Sequence, residues 1–281
     1  MELKFPQTFL LHGGCPDDSD QIDLFFKYLL KIVKNRKNKN PSLTLYPAGK
    51  YNDIQLRNRI KSKIQELSKG TCHVNELILE RTPNNSTTHE VEIERLCSQS
   101  DIFLIMNGDT QYAAELGYQY NLPRLLERGV KNGMILSGWS CGAIINGIES
   151  ISDSNSFQVN EREGETWLWK KVSLNNKTTF GFLNAIICAH EGQIRPSAKP
   201  SPYRSTMHKE LIHDSSSAKV PVFLLPENTA IQIEDDLITA YDFSQLKKRP
   251  IKVFTRNDGN YNWVEKELFD GDKCQMQIIF Q

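Results

Sequence analysis

The sequence predicts a three-layer α/β/α fold around a mostly parallel sheet. Strand-like and helix-like segments alternate through the first 140 residues, at lengths that suit a sheet covered on both faces. An apolar strand at 134–138 then runs into a glycine-flanked turn and a helix-compatible segment, as strands of such sheets do. At 281 residues the chain can bury a large core without disulfides or metals.

Residues 7–11 read as the first strand, with Phe9, Leu10 and Leu11 as its apolar centre and a break at His12-Gly13-Gly14. Asp17, Asp18, Ser19 and Asp20 suit a helix start, where their oxygens meet free N–H groups. Ile22, Leu24, Phe25, Tyr28, Leu29 and Ile32 follow at helical spacing. The basic, Asn-rich stretch 34–40 reads as a solvated turn. Strands are expected at 42–46, 74–79, 101–106 and 134–138, and helices at 53–67, 90–97 and 112–128. After about residue 150 the alternation loosens, with strands expected at 180–189, 222–225, 230–233 and 251–254. No internal repeat, low-complexity run or linker interrupts the chain. One domain over 1–281 is expected.

Lys plus Arg equals Asp plus Glu at 34 each, so no basic excess points to a nucleic-acid partner. No apolar run approaches the roughly 18 residues of a membrane span. The first residues lack the apolar core of a signal peptide. Six scattered cysteines without a CxxC pair fit a reducing cytoplasm. A cytoplasmic protein, monomer or homodimer, with a small-molecule partner is the expectation. No metal or organic cofactor is implied.

Gly138-Trp139-Ser140-Cys141-Gly142 is the most informative stretch. It places a serine on a strand–turn–helix elbow, where small flanking residues let the backbone adopt a strained turn. The turn lifts the hydroxyl clear of the sheet, and the N–H groups that follow can stabilise an oxyanion. Cys141 is a rival nucleophile, but glycines frame Ser140 whereas Trp139 and Ala143 lie at the equivalent spacing from Cys141. Register therefore favours Ser140 and leaves Cys141 as a packing residue with a useful backbone N–H.

A serine needs a base, and the base needs an orienting partner. Of six histidines, His190 and His12 each end an apolar strand and can reach the sheet edge. His208 and His213 fall in an expected helix, and nothing singles out His73 or His89.

Gly138-Trp139-Ser140-Cys141-Gly142-Ala143 resembles the elbow of the peptidase E and cyanophycinase family of serine peptidases, which includes the α-aspartyl dipeptidases. Ile105-Met106-Asn107-Gly108-Asp109-Thr110, Ile187-Cys188-Ala189-His190 and Leu225-Pro226-Glu227 match its other motifs in order. The resemblance runs from about residue 100 to 235. It implies a class I glutamine amidotransferase-like fold and hydrolysis of short peptides that carry an acidic residue. It also implies Ser140 as nucleophile and His190 as base, and it offers Asp153 as the third member, with Glu191 and Glu227 as alternatives. Gly108 and Cys141 would supply the oxyanion N–H groups. Arg204 would engage the acidic side chain, with Arg195 a weaker candidate. Asp109 stands where the family has Asn, and a carboxylate beside an oxyanion would repel it unless turned away. That departure keeps a non-catalytic binding protein in view, beside a Cys141-dependent amidase. As a strand-end residue, Asp109 is also suited to capping a local turn.

Overall fold

The computed structural model describes residues 6–14, 21–37, 40–48, 54–79, 86–151, 171–173, 179–191, 220–244, 249–256 and 263–276. In chain order it begins β1 (Thr8–His12), α1 (Gln21–Lys37), β2 (Ser42–Ala48), α2 (Ile54–Leu67) and β3 (His73–Glu76). There follow α3 (Ser86–Gln99), β4 (Ile102–Gly108), α4 (Thr110–Gln119), α5 (Leu122–Lys131) and β5 (Ile135–Trp139). The elbow leads into α6 (Cys141–Ile144), β6 (Gly147–Ile151), β7 (Lys171–Ser173) and β8 (Leu183–Glu191). The last described elements are β9 (Val222–Pro226), β10 (Thr229–Glu234), β11 (Leu237–Asp242), β12 (Ile251–Arg256), β13 (Trp263–Leu268) and β14 (Lys273–Gln275).

The eight-stranded sheet has the order β14-β11-β10-β1-β5-β4-β2-β3. Its β1-β5-β4-β2-β3 portion is parallel, and β10, β11 and β14 extend it with antiparallel pairs. Side chains of β1 alternate between two cores, as the two-residue period of a strand requires. Leu10 packs in a cluster with Phe25, Phe26 and Leu29 of α1 and Ile60 and Ile64 of α2. Phe9 and Leu11 pack in the opposite one, with Ala113 and Ala114 of α4 and Leu122 and Leu126 of α5. Helices thus cover both faces, giving the three-layer α/β/α arrangement. A fully buried side chain of this size contributes roughly 1.5–3 kcal/mol, so these two clusters fix which way each strand faces. Among the described residues no helix is long and apolar enough to cross a membrane.

Two expectations need correction. The helix expected through 112–128 is two helices, because Asn121 adopts a left-handed φ of 56° and Pro123 sits in the first turn of α5. Asn tolerates that conformation and proline suits a helix start, so together they restart the helix. The later strands also do not simply extend one sheet. A second, six-stranded sheet has the order β13-β12-β9-β8-β6-β7, with β6, β8 and β9 parallel. The chain crosses from this sheet to the first at Glu227 and Asn228, between β9 and β10.

Candidate active site

Strand β5 ends at Trp139, and the next residue carries the strain. Ser140 has φ 57° and ψ −113°, outside the regions that ordinary residues occupy. The flanking glycines are sterically required. A Cβ on Gly138 would lie 2.0 Å from the Gly142 carbonyl oxygen, and one on Gly142 would lie 2.0 Å from that of Ile105. Ser140 N–H donates to the His12 carbonyl at 3.0 Å, and the Ser140 carbonyl accepts from Ala143 and Ile144 at 2.9 and 3.1 Å. The elbow is thereby tied to β1 on one side and α6 on the other. Cys141 is wholly buried, and its thiol donates to the Met106 carbonyl at 3.3 Å, so its sulfur points into the core.

His190 lies at an irregularity of β8, where the register with β9 shifts between Ala189 and Glu191. Its φ is 60°. A bulge re-aims a strand side chain, and here the imidazole meets the elbow. Its Nε2 lies 2.6 Å from Ser140 Oγ, and its Nδ1 lies 3.2 Å from Glu227 Oε1. Both side chains are 13% exposed, which leaves the ring open to substrate yet shields its bond to the carboxylate from most water. Glu227 accepts only from an Nδ1–H, so the neutral ring presents a bare Nε2 to the serine hydroxyl.

Among the described residues the carboxylate at His190 is therefore Glu227, one of the two alternatives to Asp153. Asp153 itself, with Arg195, Arg204, His208 and His213, lies outside the described residues. Glu191 follows His190 on β8. The signal for Glu227 was its position just past the buried strand β9, beside Asn228, which takes φ 64° and turns the chain.

His12 is placed differently from a base. It is 1% exposed, its ring packs against those of Phe25 and Phe243, and its Nδ1 accepts from Gly14 N–H at 3.1 Å. Burial, and secondarily the charge of His190, pushes its pKa down to about 3. It stays neutral across the physiological range. His73 sits exposed on β3, at the far edge of the first sheet.

Gly108 ends β4 with φ 152°, exposed, and Asp109 follows as the N-cap of α4. The Asp109 side chain accepts from Tyr112 N–H at 3.0 Å, which engages it in a local turn. Asp109→Asn keeps that acceptor and should leave stability and turnover close to wild type. Asp109→Ala should cost about 1 kcal/mol, as loss of an N-cap does. Thermal unfolding and kinetics of the two variants check this. A tenfold rise in turnover for Asn would show a charge repelling the oxyanion instead.

Two cavities, of about 340 Å³ beside Gln7, Phe9 and Tyr118 and about 470 Å³ beside Ser100, Asp101 and Met134, lie near the starts of β1, β4 and β5. They are at the opposite edge of the sheet from Ser140. Geometry, not cavity size, locates the chemistry: the loops at the carboxyl ends of parallel strands are where such sheets bind ligands.

Residues 9–241 match the model of peptidase family S51. The chain belongs to peptidase family S51. It is a serine peptidase, and the match spans the elbow serine, His190 and Glu227 alike. Solved structures share the fold. A peptidase from an acI-B1 Actinobacterium is 14% identical with a TM-score of 0.66, covering 97% of this chain and 98% of its own. A provisionally assigned peptidase E protein from Listeria monocytogenes EGD-e is 12% identical with a TM-score of 0.53, covering 84% of this chain and 98% of its own. A search of curated proteins found no match. The fold of this S51 peptidase is thus the peptidase E-like one, as its sequence motifs imply.

Proposed function

We propose that this S51 peptidase hydrolyses short peptides bearing an acidic residue at or near the N-terminus, through an acyl-enzyme on Ser140. The observation that carries the mechanism is the relay of Ser140 Oγ, His190 and Glu227 at 2.6 and 3.2 Å. His190 Nε2 takes the hydroxyl proton as Oγ attacks the scissile carbonyl. Glu227 holds the ring and stabilises the imidazolium that forms. The N–H groups of Gly108, at the end of β4, and Cys141, opening α6, receive the oxyanion. The imidazolium then protonates the leaving amine, and a water activated by His190 releases the acid. The mechanism uses no metal or organic cofactor.

The substrate class rests on the resemblance to α-aspartyl dipeptidases, with Arg204 as the group that would fork onto the substrate carboxylate. Comparing kcat/KM on matched dipeptides beginning with Asp and with Ala tests it. A preference of about tenfold or more for Asp is expected, equivalent to roughly 1.4 kcal/mol. Equal rates would remove the acidic specificity and leave the mechanism standing.

A further inference from the structure

His12 is a buried histidine that the chemistry of bond cleavage does not use, and its surroundings explain neither its polarity nor its place. Among the described residues its Nε2 has no hydrogen-bond partner. An apolar side chain would fill the space between Phe25 and Phe243 without burying an unpartnered ring nitrogen. Packing alone therefore does not account for a histidine here. Its Nδ1 does have a partner, the N–H of Gly14 at 3.1 Å, two residues along the same segment.

That segment bonds to the nucleophile, to the base and to the turn that follows Glu227. The His12 carbonyl accepts from Ser140 N–H at 3.0 Å, the Gly13 carbonyl from His190 N–H at 2.8 Å, and the Gly14 carbonyl from Asn228 N–H at 2.7 Å. Three successive carbonyls thus hold the backbones of the nucleophile, of the base and of the residue after Glu227. Gly13 N–H completes the set by donating to Thr229 at 2.9 Å. The approach is close. A Cβ on Gly13 would lie 2.2 Å from the Pro226 carbonyl oxygen, and one on Gly14 would lie 2.2 Å from Cε1 of His190. Gly14 is held at φ 109°, a conformation that only glycine adopts readily, and the imidazole of His190 packs directly on it.

We propose that His12 is a positioning residue for the peptidase reaction. Its Nδ1 fixes Gly14, and so locks the tail of β1 into a clip that sets Ser140, His190 and the Glu227 turn in mutual register. A glycine pair has wide conformational freedom, and a side-chain acceptor two residues back removes it, as in other short side-chain-to-backbone turns. The inference rests on Ser140, His190 and Glu227 being the relay.

The test is the rate at which an alkyl fluorophosphonate labels the protein, followed by intact mass over a range of probe concentrations. His12→Leu removes the acceptor. His12→Asn keeps one, because its Oδ1 occupies roughly the place of Nδ1. The Leu variant should lose about 10- to 100-fold in maximal labelling rate, as expected for a small misplacement of reacting groups. Its half-saturating probe concentration should hold within about twofold, since a misplaced relay alters reaction rather than binding. The Asn variant should recover most of that loss. If Leu labels at the wild-type rate, if Asn falls as far as Leu, or if the loss appears in the half-saturating concentration, the positioning role is wrong. Should the Leu variant not fold, His12→Phe replaces it as the ring-sized variant without an acceptor, and an Asn variant that folds yet labels slowly overturns the proposal by itself. Labelling of Ser140→Ala separates the two levels: if that variant still labels at the wild-type rate, the relay reading fails and the positioning role falls with it, whereas wild-type labelling of the Leu variant alone overturns only the positioning role.

Discussion

Ser140→Ala is expected to lose peptide hydrolysis by about three to six orders of magnitude while unfolding close to the wild-type temperature. The size follows from the hydroxyl's position. It stands on a residue whose φ of 57° and ψ of −113° aim it at His190, and no other described hydroxyl is bonded to that ring. Removing Oγ leaves the N–H groups and the imidazole in place, so only the residual rate that such sites retain without a nucleophile survives. Stability should change little, because the backbone bonds of Ser140 to His12, Ala143 and Ile144 are all main-chain. Steady-state kinetics beside thermal unfolding separates loss of chemistry from loss of fold. Unchanged turnover in a folded Ala variant would end the Ser140 mechanism.

His190→Ala should be about as damaging, and the Ser140→Ala, His190→Ala double variant should be scarcely worse than either alone. Two groups that act as one unit are strongly non-additive: once the base is gone, the hydroxyl keeps its proton and its later removal costs little more. The 2.6 Å separation of Nε2 and Oγ is the physical reason to expect one unit here. Losses that simply multiply would mean that His190 acts independently of Ser140. That outcome would leave the serine without a base among the described residues.

The sequence revealed the elbow more fully than it revealed the relay. Gly138, Ser140 and Gly142 are local neighbours, and their spacing carries its own steric reason, since each glycine Cβ would strike a carbonyl. The same holds for His190, which ends a visibly apolar strand. Glu227 was harder, because its role depends on which loop the fold folds back over His190. A carboxylate 13 residues past the serine, Asp153, and one 87 residues past it are equal contenders until β9 is placed beside β8. The two-sheet arrangement was illegible for a related reason. Strands β8 and β9 read as one more parallel pair, and nothing local says that the chain changes sheets at Glu227 and Asn228. Strands β13, with Glu265, Lys266 and Glu267, and β14, with Lys273, lack the apolar runs that mark buried strands and belong to sheet edges. Such edges are commonly charged to prevent further pairing. His12 ends an apolar strand, which makes it a candidate base on sequence alone. The side chain turned out to serve the backbone instead, a role that only the three-dimensional path of Gly13 and Gly14 exposes.

The central claim is that the serine at the elbow is the group that bonds to substrate. Reaction of the wild-type protein with a fluorophosphonate, followed by proteolysis and mass mapping, tests it most directly. A single adduct on Ser140, absent from Ser140→Ala and slowed strongly in His190→Ala, is the predicted result. An adduct on another residue, or equal labelling of the Ser140→Ala protein, would contradict it.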